Sequence, residues 1–210
     1  MTRGKYIVIE GHDGTGKSLQ VELLEKRLQQ QGIKTVQIHE PAGVPIADEL
    51  RKIIKNGDLQ RDGTTNLLLF TATRRELYLQ TIAPSIESGV WVLAARSWLS
   101  TIAYQGYGEG LDIQKIHAIT KEFTDPQYLS PDFACVLSLE NEEVRAKRIE
   151  QRGELENPDA FESRGDDFQS KVKQGYLDVA NEHNLPIIDA SPIAEQVSDE
   201  IWQQIVSLTD

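Results

Sequence analysis

Along the chain, short runs of apolar and β-branched residues alternate with longer stretches whose apolar positions recur every three or four residues. Runs of the first kind predict strands at KYIVIEG (5–11), IKTVQIH (33–39), VWVLAA (90–95), FACVLSL (133–139) and PIIDA (186–190). VWVLAA and FACVLSL are almost continuously apolar, the character of strands buried on both faces of a parallel sheet. The other stretches predict helices. One runs from Lys17 through LQVELLEKRLQQQ to Gly32, a C′ glycine, and others cover ADELRKIIKNG, TTNLLLFTATRRELYLQTIAPSIESG and AEQVSDEIWQQIVSL. In the longest, Leu67, Phe70, Arg74, Leu77 and Thr81 fall on one turn-spaced face.

Strands separated by helices imply a three-layer α/β fold, with a five-stranded parallel sheet flanked by helices. The polar block RGELENPDAFESRGDD (152–167) breaks the alternation with two glycines, a proline and many carboxylates. A loop of that length inside a compact domain is expected to be functional or mobile. No internal repeat is present.

The first strand runs into Gly11-His12-Asp13-Gly14-Thr15-Gly16-Lys17-Ser18, which matches the P-loop spacing G-x-x-x-x-G-K-[ST] with the required strand before it and helix after it. Backbone N–H groups of this loop and the N-terminus of the next helix form an anion nest for a nucleotide's phosphates. Lys17 is placed to bridge the β- and γ-phosphate oxygens, and the Ser18 hydroxyl to ligate Mg2+. Asp13 is the odd member, since a carboxylate there repels phosphate unless it faces a sugar hydroxyl or a metal-bound water. It can equally serve as a turn residue for local N–H groups.

Composition narrows the partners. The chain has 210 residues, 39% hydrophobic and 26% charged, which fits one folded domain over 1–210 and excludes disorder. No apolar run approaches the ~20 residues that span a bilayer, so no membrane is expected. MTRGKYIVIEG enters a strand at once and leaves no room for a signal peptide. The single Cys135 reads as a buried small hydrophobe in a reducing compartment, so the cytoplasm is the expected address. A net charge of −11 weighs against a nucleic acid partner, but allows a small phosphorylated ligand held by a few arginines.

Four more stretches carry chemistry: HEPAG (39–43), LFTATRREL (69–77), ARSWLSTIAYQG (95–106) and RIEQRGEL (148–155). With IEGHDGTGKS they resemble, in order and spacing from Lys5 to about Tyr176, the thymidylate kinase family, whose members move the γ-phosphate of ATP onto dTMP. The pattern is most similar to the bacterial type, with its catalytic arginine in a mobile lid; here the P-loop has Gly14 where the other type has arginine. The resemblance implies a P-loop kinase with its lid at about 152–167, ATP and Mg2+ as donor and metal, and a homodimer.

It also implies site residues. Lys17, Arg152 and Arg96 would serve transfer, with Arg148 and Arg164 as weaker candidates for the arginine. Phe70 would stack on thymine, and Arg74 would hydrogen-bond its edge. Arg51 and Arg96 would hold the acceptor phosphate, Asp13 would face the 3′-hydroxyl, and Tyr104 and Gln105 would close over the sugar and base. Taken singly these residues have plainer readings: Phe70 as core, Arg74 and Arg75 as a solvated helix face, Arg51 paired with Glu49 or Asp48.

The chain departs from the family pattern at four places. Ala42 stands in E-P-G-G, and Ala95 replaces the aspartate of D-R. Trp98 stands where a small or polar residue is usual, which is expected to reshape the acceptor pocket. Glu156-Asn157-Pro158 stands where a second lid arginine often follows. Three other readings stay open on the residues: a kinase for another, 5-modified pyrimidine deoxynucleotide, a variant weakened or inactivated by Ala95, and a nucleotide-hydrolysing switch. The switch reading lacks the N-K-x-D base reader of GTP-binding proteins.

Overall fold

A computed structural model of the chain describes residues 2–151 and 160–209. Strands β1 (Tyr6–Gly11), β2 (Thr35–His39), β3 (Trp91–Ala95), β4 (Phe133–Ser138) and β5 (Ile187–Asp189) form one sheet in the order β2-β3-β1-β4-β5. All four pairings are parallel. Each strand lies within two residues of its expected limits.

Among the described residues ten α-helices connect and cover the strands: α1 (Lys17–Gln30), α2 (Pro45–Lys55), α3 (Gly63–Leu77), α4 (Ala83–Glu87), α5 (Leu99–Thr101), α6 (Ile113–Phe123), α7 (Pro126–Leu129), α8 (Glu142–Glu150), α9 (Asp166–Glu182) and α10 (Ala194–Ile205). α1 stops where the sequence says it should. Gly32 takes φ +79°, and the Ile33 N–H turns back to the Leu28 carbonyl at 3.0 Å.

The long helix expected over 64–89 is one helical run with a fault. Between α3 and α4 it widens into a π turn at Tyr78–Ile82. Pro84 has no N–H for the ladder and crowds the preceding turn, and helices commonly widen where that ladder is interrupted. A second π segment, Ile102–Gly108, follows α5, and its first five residues are all buried.

Successive residues of β1 feed opposite sides of the sheet, the period-2 rule of a strand. Tyr6 and Val8 pack with Leu67 and Leu77 of α3 and Val179 of α9, whereas Ile7 and Ile9 pack with Val21 and Leu24 of α1 and Ile201 of α10. Cys135 is buried in the second layer, as its apolar run implies, and burial pushes its thiol pKa up. Among the described residues no helix is long and apolar enough to cross a membrane.

The block at 152–167 divides differently from the expectation. Asp166 and Asp167 already belong to the first turn of α9, and Phe161 is buried. Arg152, with the rest of 152–159, lies outside the described residues.

Candidate active site

The carboxyl ends of β1, β2 and β3 open into one cleft of about 680 Å³, where open parallel sheets bind ligands. The P-loop forms one wall. At Gly11, with φ +140°, a Cβ would sit 2.5 Å from the Leu137 carbonyl oxygen, so strand packing requires glycine there. Gly16 has open space, but its φ of +92° is a conformation that only glycine adopts readily. The Thr15 hydroxyl and Lys17 Nζ both donate to the His12 carbonyl at 2.8 Å, which fixes the loop's curl. Ser18 is exposed on the cleft rim at the start of α1.

His12 contributes its backbone to the loop but turns its ring away from the cleft toward α9, where Nε2 lies 2.7 Å from Gln169 Oε1. Burial pushes its pKa down to about 4, because a charged imidazole is poorly solvated there. A histidine depressed in the folded state stabilises the fold fully above its unfolded pKa near 6.5 and loses that contribution as pH falls through 4. Between pH 7 and 4 the chain should therefore lose about 3 kcal/mol more stability than a His12→Leu variant. Denaturant unfolding across that range measures the difference, and parallel profiles would contradict it.

Asp13 meets protein partners directly. Its carboxylate pairs with the Arg96 guanidinium, accepts a 2.7 Å hydrogen bond from the Tyr104 hydroxyl, and lies 3.8 Å from Lys17 Nζ. Burial alone would raise its pKa, but the Arg96 and Lys17 charges hold it well below the usual carboxylate range.

Arg96 follows the last residue of β3 with φ +76°, a conformation seldom taken by non-glycine residues. Several groups hold it there. The Tyr176 hydroxyl of α9 and the Ser100 hydroxyl accept from Nη1, and the Tyr104 ring lies 5.2 Å from the guanidinium carbon. Glu10, buried in β1, fixes the turn that follows. It accepts from the Ser97 N–H at 2.6 Å, the Ser97 hydroxyl at 2.9 Å, the Ser100 N–H at 3.2 Å and the Ser100 hydroxyl at 2.7 Å. Ala95 presents only a methyl group to the cleft beside this cluster.

The far wall comes from α2, α3 and the second π segment, and carries Arg51, Phe70, Arg74, Tyr104 and Gln105. Phe70 is half-buried, not core, and meets Phe161 at a ring separation of 5.9 Å. Arg74 is buried, not solvated. Its Nε donates to Glu40 at 2.9 Å, its Nη1 to the Thr101 hydroxyl at 2.5 Å, and its guanidinium carbon lies 5.1 Å from the Phe70 ring centre. Glu40 also accepts from the Tyr128 hydroxyl at 2.7 and 2.9 Å. Burial raises the Glu40 carboxyl above its ordinary range, with Arg74 opposing.

Arg51 Nε is buried without a hydrogen-bond partner, while Glu49 pairs with Lys52 and Asp48 accepts from the Gly43 N–H. The surface pairing considered for Arg51 is thus not formed. Gln105 is buried and donates to Glu109 at 3.1 Å.

One expectation needs correction, and the two weaker arginine candidates take different places. Trp98 does not border the cleft; it packs into the apolar layer beneath α3 and against His117 and His183. Arg164 lies over the Phe168 ring at 3.8 Å and pairs with Glu109, whereas Arg148 borders the cleft and donates to the Ala190 carbonyl at 3.0 Å. Sequence reasoning missed Glu10, Tyr128, Tyr176 and Phe161. Each acts on a site residue, or on a residue that holds one, across 80 to 91 positions of sequence, where no local spacing signals it.

Known proteins match the chain along nearly its whole length. A family model described as thymidylate kinase covers residues 9–201. A thymidylate kinase from Halothermothrix orenii is 34% identical over 207 residues, which cover 97% of each chain. One from Psychrobacter sp. is 36% identical over 211 residues, 98% of each, and one from Dichelobacter nodosus 35% over 199 residues, 95% of this chain and 96% of the relative.

Proposed function

The chain belongs to the thymidylate kinase family and transfers phosphate from ATP to dTMP, and from that premise we propose how the cleft divides between the two nucleotides. ATP lays its phosphates in the Gly11–Ser18 nest, with Lys17 on the β- and γ-oxygens. The acceptor base enters between Phe70 and Arg74, and its phosphate reaches Arg51 and Arg96. The observation that carries this reading is continuity: one cleft joins the P-loop to Phe70 and Arg74, with Arg96 between them.

The pairing chemistry fits. A planar base suits an aromatic face, and a dianionic phosphate suits guanidinium forks. Arg74 keeps three of its five N–H donors beyond the two bonds to Glu40 and Thr101. A dTMP phosphate oxygen attacks the γ-phosphorus, the bond to the β–γ bridging oxygen breaks, and ADP leaves as dTDP forms. The residues place the two oxygens in line and neutralise charge. Arg152 is proposed as the arginine brought onto the phosphoryl group, by resemblance to the family alone.

Magnesium fits the rim through the hydroxyl of Ser18, an exposed residue that lines the cleft. Glu10 already accepts four hydrogen bonds from the turn after β3 and Ala95 offers no oxygen, so Ser18, phosphate oxygens and water make the expected set. When bound, the ion neutralises phosphate charge. The chain is further proposed to act as one domain in the cytoplasm. It is also proposed to pair as a homodimer, because Leu68, Leu79 and Phe123 are exposed and the Phe123 carbonyl accepts from Arg75, which sets that residue beside α3. Light scattering of the purified chain reads the dimer directly.

The deciding experiment is ATP turnover with and without dTMP. A kinase consumes ATP only with acceptor present; equal turnover without dTMP would mark a hydrolase and overturn the reading.

Ala95 supplies a further expectation. A carboxylate beside Arg96 would repel nucleotide phosphates in the ground state but help to anchor metal-bound water. Only contacts stronger in the transition state raise kcat. Ala95→Asp should therefore raise kcat by roughly 10-fold, about 1.4 kcal/mol of barrier, and lower the Mg2+ needed for half-maximal rate, with dTMP affinity flat or weaker. A variant no faster at any Mg2+ concentration would show that the cleft works around the missing carboxylate.

A further inference from the structure

Away from the cleft, His117 on α6, Glu182 in the last turn of α9 and His183 just beyond it form the one group of three potential metal ligands among the described residues. One ligand atom from each lies within 4.8 Å of the other two, and His117 Nε2 stands 3.9 Å from the Glu182 carboxylate. Trp98 sets the geometry from below. Its ring meets His117 edge-on at 5.5 Å and His183 at 5.4 Å, and the two imidazoles are 6.0 Å apart.

His117 Nε2 and His183 Nε2 are both buried atoms without a hydrogen-bond partner. A buried nitrogen left unpaired is costly and uncommon, and here two of them converge beside a carboxylate. We propose that His117, Glu182 and His183 bind a divalent transition-metal ion of the zinc class.

The donor set argues for that class. Two imidazoles and one carboxylate suit zinc and its neighbours, whereas Mg2+ prefers oxygen ligands and retained water. Zinc–ligand distances near 2.1 Å place tetrahedral ligands about 3.4 Å apart. The present separations, 4.8 Å at most and 3.9 Å between His117 and Glu182, must close by up to about 1.4 Å, which asks for small rotations of the two imidazoles as well as of the exposed Glu182 side chain. Water completes the coordination. None of the three residues borders the nucleotide cleft, so the site is separate from the one that handles phosphates. The ion would tie α6 to α9, two helices that pack on the π segment bearing Tyr104 and Gln105.

The test is a Zn2+ titration of the tag-free chain against a chromophoric chelator, in buffer without nucleotide. One equivalent should bind per chain, Co2+ should give the visible absorption of a low-coordinate site, and His117→Ala and His183→Ala should each weaken binding at least about 10-fold. At a hundredfold excess over Kd, zinc should raise Tm by roughly 5–10 °C in the parent chain, and far less in either variant. Far-UV circular dichroism checks that each variant folds, and Glu182→Gln, at an exposed position, provides a third. Absence of saturable uptake would overturn the proposal, as would uptake undiminished in the folded variants, which would place the ion elsewhere on the chain.

Discussion

Replacing Lys17 with alanine is expected to lower kcat by about 10³-fold while dTMP binding survives. The loss corresponds to about 4 kcal/mol of transition-state stabilisation, the scale of a cation that follows charge onto the transferring phosphoryl group. The structure separates this effect from a folding defect. Lys17 Nζ contacts the His12 carbonyl and Asp13, and Asp13 keeps Arg96 and Tyr104 when Lys17 is removed. The proposed acceptor contacts Arg51, Phe70, Arg74 and Arg96 come from α2, α3 and the segment after β3, not from the P-loop itself. Steady-state kinetics with both substrates, beside direct titration of dTMP, checks the expectation. A kcat near that of the parent would remove Lys17 from the chemistry, and a matching loss of dTMP affinity would indicate unfolding.

Glu40→Ala is expected to destabilise the chain by about 3–5 kcal/mol, because it leaves a buried arginine without its counter-charge. Arg74 and Glu40 are both almost fully enclosed, and Tyr128 spends its hydroxyl on the same carboxylate. Removing the acid orphans two groups at once. For a chain of this length the drop should appear as a fall in Tm of roughly 6–20 °C. Glu40→Gln keeps an acceptor for Nε and for the tyrosine, so it should fold better than the alanine variant. It should still raise KM for dTMP several-fold with KM for ATP unchanged, since it loosens the arginine proposed to read the base. If Glu40→Ala melts within 2 °C of the parent, Arg74 has found another partner and this account of the base pocket fails.

The sheet was legible because its inner strands β1, β3 and β4 are buried on both sides, and solid apolar runs such as FACVLSL leave little choice of structure. The P-loop was legible because a glycine pattern at fixed spacing has one backbone solution. The far wall was legible through register: Arg51, Phe70, Arg74, Arg96, Tyr104 and Gln105 come from separate motifs, yet all border one cleft. What the sequence hid is the support behind them. Tyr128 sits in a four-residue helix without a motif, and Tyr176 in the middle of an ordinary amphipathic one, yet these hydroxyls hold Glu40 and Arg96. Trp98 was misjudged for the same reason. Its neighbours His117 and His183 lie 19 and 85 positions away, so nothing local says which way it turns.

Between Ile102 and Gly108 the chain should accept exchange of residues more readily than loss of one. A π turn carries an extra residue compared with an α turn. Deleting Ala103 would let the segment relax into ordinary hydrogen bonding, and would swing Tyr104 and Gln105 by about 100° relative to Arg96. Such a chain could fold as well as its parent and still have no usable cleft. Deletion variants scored separately for soluble yield and for turnover would diverge at this segment; if the two scores fall together, the extra residue serves folding after all. On this view heredity preserves the length of the segment for the sake of the reaction, and a lineage that abandoned the reaction would be free to shorten it.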